Sequence, residues 1–312
     1  MTDHRPTGVG LNNPAWCRPD GTLASDGWDC VVDDTTPGWA HTGLRTATLT
    51  PGSVFELALG DNEAMVLPLD GGVLVEVVTE GADVLSFALA GRSGVFAGPA
   101  DVAYAPPGTT LRLRPPHDLA EGGAVRVAVC LARAEGATGI SARHLRASDV
   151  PVELRGAGIA SRQVRNFGVP GVLDAHRMIA VEVITPAGNW SSWPPHKHDE
   201  DRPGVEAELE EIYWFETQST DGRGTDPVGY QRVYGTAERP IDVLAEVRTG
   251  DVVLVPHGWH GPAIAPPDAD LYYLNVMAGP GTERSWLICD DPAHAWVRET
   301  WPDQQVDPRL TS

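Results

Sequence analysis

The amino-acid sequence predicts an all-β protein made of two similar domains with only short helices. Segments rich in β-branched and aromatic residues, the composition typical of strands, follow one another along its 312 residues. Short clusters of Gly, Pro and Asp separate most of these segments, as expected where turns connect strands. A short sequence pattern occurs once in each half of the chain, which indicates a duplicated domain.

Seven segments carry the strand signal, and helical periodicity between them is weak. The one helical prediction is a turn or short helix near 293–299. In chain order, the predicted strands are VLVEVV (73–78), TTLRLRP (109–115), AVRVAVCLA (124–132), MIAVEVIT (178–185), EIYWF (211–215), GDVVLVP (250–256) and LYYLNVM (271–277).

The repeated pattern links GPADVAYAPPG (98–108) with GDVVLVPHG (250–258). Both read Asp-Val, three residues, Pro, one residue and Gly, and both follow a run of predicted strands. Two residues after the shared Gly, the second copy has His260 where the first has Thr110. A duplication therefore predicts that chemistry is confined to the second copy.

The domain prediction follows from this repeat. We expect an N-terminal domain over 1–150, degenerate and without a metal site, and a C-terminal metal-binding domain over 151–312. The junction is expected within 137–158, a stretch rich in Ala, Gly, Ser and Arg.

Composition excludes several classes of partner. The net charge of −20 argues against binding to nucleic acid or to an anionic membrane surface. No apolar run approaches the roughly 20 residues of a membrane span, and no secretion signal is visible, so a cytoplasmic location is expected. No GxGxxG or P-loop pattern is present, so no nucleotide cofactor is expected. Buried or free thiols in a reducing cytoplasm are predicted at Cys17, Cys30, Cys130 and Cys289, because none lies in a CxxC pair.

The second half holds a candidate metal site. His196 and His198 are one residue apart, so on a strand both imidazoles point to one face. Glu211 opens the strand EIYWF, and His260 follows the strand GDVVLVP. Three nitrogens and one carboxylate suit a divalent transition metal. Glu210 is the rival carboxylate, but strand alternation sends it to the opposite face.

These residues resemble the two motifs of the cupin superfamily, G-x5-HxH-x3-4-E-x6-G and G-x5-PxGx2H-x3-N. Gly250, Pro256, Gly258 and His260 fit the second motif with the histidine one residue early, and twelve residues separate His198 from Glu211 in the first. The resemblance implies two tandem jelly-roll barrels. It also implies one divalent metal ion, zinc or manganese first, with iron, cobalt and nickel as alternatives.

A narrower resemblance is to the 5-deoxy-glucuronate isomerases of myo-inositol breakdown. It implies conversion of the aldose 5-deoxy-glucuronate into the ketose 2-deoxy-5-keto-gluconate, with the metal acting as a Lewis acid. The similar segments are GRSGVFAGPADVAYAPPGTTL (91–111), PPHKHD (194–199), LEEIYWF (209–215), QRVYG (231–235), GDVVLVPHGWH (250–260), APP (265–267), DLYYLNVMAGP (270–280) and DPAHAW (291–296).

A uronate substrate carries a carboxylate, which arginine binds well. Arg162, Arg165 and Arg232 are candidates near strands of the second domain, and a solvated surface position is the alternative for each. Lys197, the only lysine of the chain, lies between the two motif histidines. It is a candidate for touching substrate, the domain interface or a charge partner, although alternation points it away from the histidines.

Polar side chains near the motifs are further candidates. Tyr213 shares the face of Glu211, and Tyr273 shares a face with Asn275. Either tyrosine could donate a hydrogen bond to a substrate oxygen, the alternative being a satisfied core hydroxyl. Gln231 and Asn275 complete the predicted substrate-binding set.

Three rival functions use the same fold. They are a 5-keto-4-deoxyuronate isomerase, a cupin dioxygenase with three histidines and one glutamate, and a non-catalytic cupin that binds a sugar or metabolite. The expected partner is a small uronate, and association into a homo-oligomer through sheet edges is compatible with the fold.

Overall fold

The computed structural model describes residues 13–223 and 226–311, so residues 1–12 of the predicted first domain and residue 312 of the second lie outside it. Within the described residues, the first half of the chain forms ten strands. They are β1 (Cys17–Arg18), β2 (Cys30–Val32), β3 (Thr42–Leu49), β4 (Phe55–Ala58), β5 (Asn62–Val78), β6 (Leu85–Arg92), β7 (Val102–Ala105), β8 (Thr110–Arg114), β9 (Val125–Arg133) and β10 (Arg143–Leu145).

The second half adds fourteen strands over the same described ranges. They are β11 (Val152–Arg155), β12 (Arg162–Gly168), β13 (Ile179–Thr185), β14 (Trp190–Ser191), β15 (His196–Lys197), β16 (Asp199–Arg202), β17 (Glu206–Glu208), β18 (Glu210–Ser219), β19 (Gly229–Tyr234), β20 (Asp242–Val247), β21 (Val252–Val255), β22 (Trp259–Ile264), β23 (Ala269–Ala278) and β24 (Cys289–Asp290).

Helical structure in the described part of the chain is limited to short 3₁₀ segments. None of these helices is long and apolar enough to cross a membrane. The predicted C-terminal turn or helix is the 3₁₀ segment that begins at Ala295. The segments are Val95–Ala97, Ala147–Asp149, Gly158–Ala160, Ala295–Asp303 and Pro308–Leu310.

The all-β prediction is confirmed, and each of the seven predicted segments coincides with a strand. The largest difference is β5, which spans 17 residues, whereas the prediction covered only 73–78. Its ladder with β9 shifts register between Pro68 and Asp70, and Gly71 has a φ of 72°. Proline and glycine therefore mark a bend within one strand, not a turn between two.

The strands form two barrels that follow one another along the chain. The first is built on the sheet β10-β7-β5-β9-β3-β2, with β4, β6 and β8 on its other side. In the second, the sheet β1-β21-β18-β23-β13-β12-β11 faces β20-β19-β22-β15-β24. β10 belongs to the first barrel and β11 to the second, while β1 joins the second. The division of the chain at residue 150 stays a prediction.

The repeated pattern occupies equivalent places in the two barrels. β7 and β21 each lie between a long central strand and a short outer strand. Asp101 accepts backbone N–H bonds from Ala90 and Ala147, and Asp251 accepts them from 20 and 248. Each aspartate thus ties the start of its strand to a segment distant in sequence, Asp101 to Ala147 and Asp251 to Asp20, which explains the shared Asp.

Side-chain alternation on β18 separates the barrel interior from the interface between the barrels. Tyr213 and Phe215 belong to the apolar interior of the second barrel. Ile212 and Trp214 belong to a core that includes Leu44 from the first barrel. The two large sheets therefore pack face to face, and odd-numbered residues of this strand reach the interior.

Two buried glutamates connect the barrels reciprocally. Glu63 of β5 accepts backbone N–H groups of 176–178 at 2.6–2.7 Å. Glu210 of β18 accepts those of 40–42 at 2.7–3.2 Å. Glu63 accepts from the chain that enters β13, and Glu210 accepts from the chain that enters β3, so each barrel provides hydrogen-bond partners for backbone N–H groups of the other.

Replacing Glu63 or Glu210 with Gln should lower the free energy of unfolding by about 2 kcal/mol, because hydrogen bonds to a charged acceptor are lost or weakened. Urea denaturation measures this change. Glu56→Gln is the control: its side chain is 57% exposed and pairs with Arg112, so less than about 0.5 kcal/mol is expected. Equal effects in all three variants would contradict a connecting role.

Candidate metal centre

Three histidines converge at one end of the second barrel. His196 on β15 pairs directly across the sheet with His260 on β22, and His198 follows β15. Their ring nitrogens all lie within 4.8 Å of one another. His198 and His260 are 2% and 1% exposed. The one-residue spacing of the first two histidines thus brings both imidazoles to the same point.

Backbone carbonyls fix the orientation of two of these imidazoles. The Nδ1–H of His198 donates to Leu209 O and that of His260 to Gly258 O, each at 3.1 Å. In the neutral ring, Nε2 then carries the lone pair. Nε2 of His260 lies 3.1 Å from Oε2 of Glu211, and Nε2 of His198 lies 3.1 Å from the same oxygen, to which it donates when His198 is protonated. Metal-binding histidines are held in this way by backbone acceptors.

The donor set fits a divalent cation. Nε2 of His260 is buried and has no hydrogen-bond partner among the described residues, because the approach of Glu211 lacks hydrogen-bond geometry. Nitrogen lone pairs and a carboxylate facing one another repel unless positive charge lies between them. Three imidazoles and one carboxylate suit zinc or another transition metal.

The pKa shifts of His196, His198 and Glu211 also reflect the close approach of these groups. Burial lowers the pKa of His198, but the hydrogen bond and charge of Glu211 raise it more, so the net pKa is above its ordinary value. Burial raises the pKa of Glu211, but His260 and His198 lower it to about 2. Burial and the neighbouring histidines lower the pKa of His196 well below its ordinary value. The site thus holds an ionised carboxylate, ready to pair with a cation.

A cavity of about 240 Å³ adjoins the histidines. His196 and Glu211 line it, whereas Glu210 is directed to the interface between the barrels. The other lining residues are Arg155, Arg162, Val164, Val181, Val183, Ser192, Tyr213, Tyr273, Asn275, Trp286, Ile288 and Arg298. The cavity is large enough for a small sugar acid.

Arg162 is the distinctive charge of this cavity. It is 6% exposed, and its Nη1 donates to Ala160 O at 3.1 Å. Its guanidinium lies over Trp301, 5.8 Å from the ring centroid, and no carboxylate of the described residues forms an ion pair with it. Burial lowers its pKa to about 10. A buried guanidinium without an anion favours binding of one.

The structure brings Arg162, Tyr213, Tyr273 and Asn275 to the cavity but leaves other predicted residues outside it. Arg165 lies on the opposite face of β12, where it donates to carbonyls of 95 and 98 and lies 3.9 Å from Glu182. Arginines on one strand differ in role because alternation sends them to different faces.

Lys197, Gln231 and Arg232 are not among the residues that line the cavity. Lys197 pairs with carboxylates on the other side of its strand. Arg232 pairs with Asp242 at the surface. Gln231 is fully buried, and within the described residues neither of its amide atoms has a hydrogen-bond partner.

Sequence reasoning did not find several cavity residues. Trp286 and Arg298 belong to the segment that follows β23 and returns over the cavity, and neither lies in a recognisable motif. Ser192 has a φ of 49°, and its Oγ lies 3.4 Å from the hydroxyls of both Tyr213 and Tyr273. Left-handed backbone at a non-glycine residue is a structural sign of a functional position, with no sequence signal here.

Comparison with known proteins gives consistent matches over most of the chain. Proteins named 5-deoxy-glucuronate isomerase match from Geobacillus kaustophilus, 39% identical over 84% of this chain and 88% of that protein, and from Geobacillus thermodenitrificans, 38% identical over 86% and 90%. Both exceed the identity at which a shared family is secure.

Solved structures share the fold. An IolB-like protein from Salmonella typhimurium has a TM-score of 0.77 at 29% identity and covers 91% of this chain and 99% of that chain. An oxalate decarboxylase from Lactobacillus farciminis has a TM-score of 0.59 at 12% identity over 88% of both chains, a likeness of fold alone. The family profile matches residues 17–297, and the chain belongs to the KduI/IolB family.

Proposed function

We propose that this protein is an aldose–ketose isomerase that converts 5-deoxy-glucuronate into 2-deoxy-5-keto-gluconate. The relatives of 38–39% identity carry that name. The observation that supports it most directly is a cavity lined both by metal-type donors, His196 and Glu211, and by Arg162, which has no ion pair within the described residues. The reaction needs these two features, because its substrate carries reacting oxygens and a carboxylate.

His196, His198, Glu211 and His260 would hold one divalent metal ion. Zinc and manganese come first, and iron, cobalt and nickel also accept these ligands. When bound, the cation supplies a Lewis acid for the oxygens of the two reacting carbons. The chain fixes the imidazoles through Leu209 O and Gly258 O, so little reorganisation is needed on binding.

Arg162 would bind the substrate carboxylate. Arg155 and Arg298 also line the cavity, but each already pairs with a carboxylate, Glu153 and Asp290 respectively. When Arg162 binds the substrate carboxylate, the rest of the sugar would extend along the cavity toward His196 and Glu211. This arrangement distinguishes the two ends of the substrate, so isomerisation takes place at the end remote from the acid.

The hydrogen-bond network separates the roles of the two cavity tyrosines. Tyr273 donates to Ser191 Oγ at 2.9 Å, while Ser191 accepts from Thr185 and donates to Ala263 O. The proton of Tyr273 is thus committed to Ser191. Tyr213 has a long 3.4 Å contact with Ser192 and is otherwise directed at the carboxylate of Glu211, the proposed metal ligand. Tyr213 would therefore donate to a substrate oxygen, and Tyr273 would accept.

Replacing Tyr213 with Phe should lower kcat by about a hundredfold, because a proton donor to a reacting oxygen is removed. Tyr273→Phe is the matched control on the adjacent strand and should cost less than about tenfold. Steady-state kinetics on both variants measures the difference. A larger loss in the Tyr273 variant would reverse the assignment.

A proton NMR time course of 5-deoxy-glucuronate with metal-loaded protein tests the function. Aldose anomeric signals should disappear and ketose signals appear, and chelation should stop turnover until metal is restored. Turnover of 5-keto-4-deoxyuronate alone would favour the sister isomerase, and oxygen uptake with bound iron would favour a dioxygenase. No turnover of 5-deoxy-glucuronate by folded, metal-loaded protein would refute the proposed activity.

The remaining expectations concern the location of the protein in the cell, its partners, its cofactors and its oligomeric state. None of the four cysteines forms a disulfide, which fits a reducing cytoplasm, and the net charge of −20 disfavours nucleic acid as a partner. We expect the small uronate to be the partner and no nucleotide cofactor to be needed. A homo-oligomer formed through sheet edges stays a prediction.

A further inference from the structure

Lys197 lies at the centre of a buried ion network next to the histidines. Its Nζ is 2.6 Å from Oδ1 of Asp199 and 2.8 Å from Oε1 of Glu206. The three residues are 9%, 8% and 1% exposed. Lys197 occupies the strand position between the two motif histidines, so its side chain points away from the cavity and toward this network.

The network leads from Lys197 to the third histidine. Oδ2 of Asp199 accepts the backbone N–H of Gly258 at 2.8 Å. The carbonyl of the same Gly258 accepts from Nδ1 of His260. Lys197 therefore connects the strand that carries two histidines with the turn that orients the third, through one carboxylate and one residue of backbone.

The same network fixes the insertion between the motif histidines and Glu211. Glu206 Oε1 accepts the backbone N–H of Asp199 at 2.8 Å as well as Nζ of Lys197. Asp199 and Glu206 lie on β16 and β17, the hairpin formed by the inserted residues. Lys197 thus bridges both carboxylates that fold this hairpin onto the metal-site strand, while Arg239 and Arg202 pair with the other oxygens of Asp199 and Glu206.

We propose that Lys197 is a positioning residue for the metal centre, acting through Asp199 and Gly258 on His260, and not a substrate-binding residue. This inference rests on the proposed function only in requiring a metal at the three histidines. Residues that orient metal ligands from outside the coordination sphere typically change metal affinity when replaced.

The network also accounts for a lysine in a chain that otherwise uses arginine. An ammonium is compact and presents three donors around one atom. Here that atom contacts two carboxylates and lies 5.9 Å from the ring centroid of Trp259. A planar guanidinium is wider, and its donors diverge, so it cannot place one atom between Asp199 and Glu206 without moving the hairpin.

The test measures metal affinity of the full-length protein without substrate. Isothermal titration with zinc and with manganese is performed on the wild-type protein, Lys197→Met and Lys197→Arg. We expect the Kd of Lys197→Met to rise by about 10- to 100-fold, and that of Lys197→Arg to rise by less. Lys197→Arg keeps the charge, so it tests the inference even if Lys197→Met does not fold.

Arg92→Met is the matched control. Arg92 is also 9% exposed and also pairs with a buried carboxylate, Glu182, but at the interface between the barrels. It should lower the thermal midpoint of the metal-free protein and leave the Kd for metal unchanged. A Kd that rises equally in Arg92→Met would show that lost stability alone weakens metal binding and would overturn the inference.

The failure of this inference is distinguishable from that of the proposed function. Unchanged Kd values in folded Lys197 variants, with a wild-type protein that binds metal and turns over the uronate, would overturn only the positioning role. A wild-type protein that binds neither metal would overturn both. A protein that binds metal more weakly in the Lys197 variants but does not isomerise the uronate would support the inference and reject the activity.

Discussion

Replacing His260 with Ala is expected to remove the metal and lower kcat/KM by about a thousandfold. His260 supplies a buried Nε2 that lies 3.1 Å from Glu211, and its loss leaves two imidazoles and the carboxylate. A Lewis acid contributes several kcal/mol to the stability of the transition state, and each 1.36 kcal/mol is tenfold in rate. Metal content and kcat/KM, measured on the same preparation, should fall together. His198→Ala should behave alike.

The control for this variant comes from the duplicated half. Thr110 lies two residues after Gly108, as His260 lies two residues after Gly258. Thr110→Ala should leave both metal content and kcat/KM unchanged, because the one three-histidine cluster in the described residues is in the second barrel. Full metal occupancy in the His260 variant would refute the ligand assignment.

Arg162→Met is expected to combine a loss of activity with a gain of stability. Loss of a buried partner for a carboxylate costs about 2–5 kcal/mol, so kcat/KM should fall by about several hundredfold, mainly through KM. In the substrate-free protein, Arg162 is a buried cation without an ion pair in the described residues, and its replacement by an apolar side chain should raise the free energy of unfolding by about 1 kcal/mol. Kinetics and thermal denaturation without substrate measure the two effects.

Arg165→Met, on the same strand, is expected to lower stability without affecting substrate binding. Arg165 is buried, lies 3.9 Å from Glu182 and donates to two backbone carbonyls between the barrels. Its replacement should lower the thermal midpoint and leave KM unchanged. If Arg162→Met instead destabilised the protein with an unchanged KM, the guanidinium would be a structural group and another residue would bind the acid.

The all-β fold class was predictable from the sequence because strand composition and turn residues are recognised within short stretches of the chain. β13, β18, β21 and β23 have apolar or alternating sequences that reach the core of a barrel on at least one face. Strands such as β12 and β19 are mixed in composition and were not predicted. They are stabilised by pairing with neighbours distant in sequence, which a local window does not contain.

The candidate site was predictable only where spacing and alternation decide it. The one-residue spacing of His196 and His198 and the opposite faces of Glu210 and Glu211 follow from strand geometry alone. The environment of Lys197 does not, because Asp199 and Glu206 reach it through a hairpin. Arg298 and Trp286 reach the cavity through a long-range return of the chain, for which the sequence offers no pattern.

The pairing of β1 with β21 has a consequence for synthesis of the protein. Near this pair, the N–H of Asp20 binds the carboxylate of Asp251, 231 residues away. All strands of the first barrel end by Leu145, so this barrel can form while the rest of the chain is still being synthesised. β1 cannot pair until β21, which begins at Val252, has been synthesised. Deleting the segment around Cys17 should therefore weaken the metal-bearing barrel, although the deleted residues lie at the opposite end of the sequence.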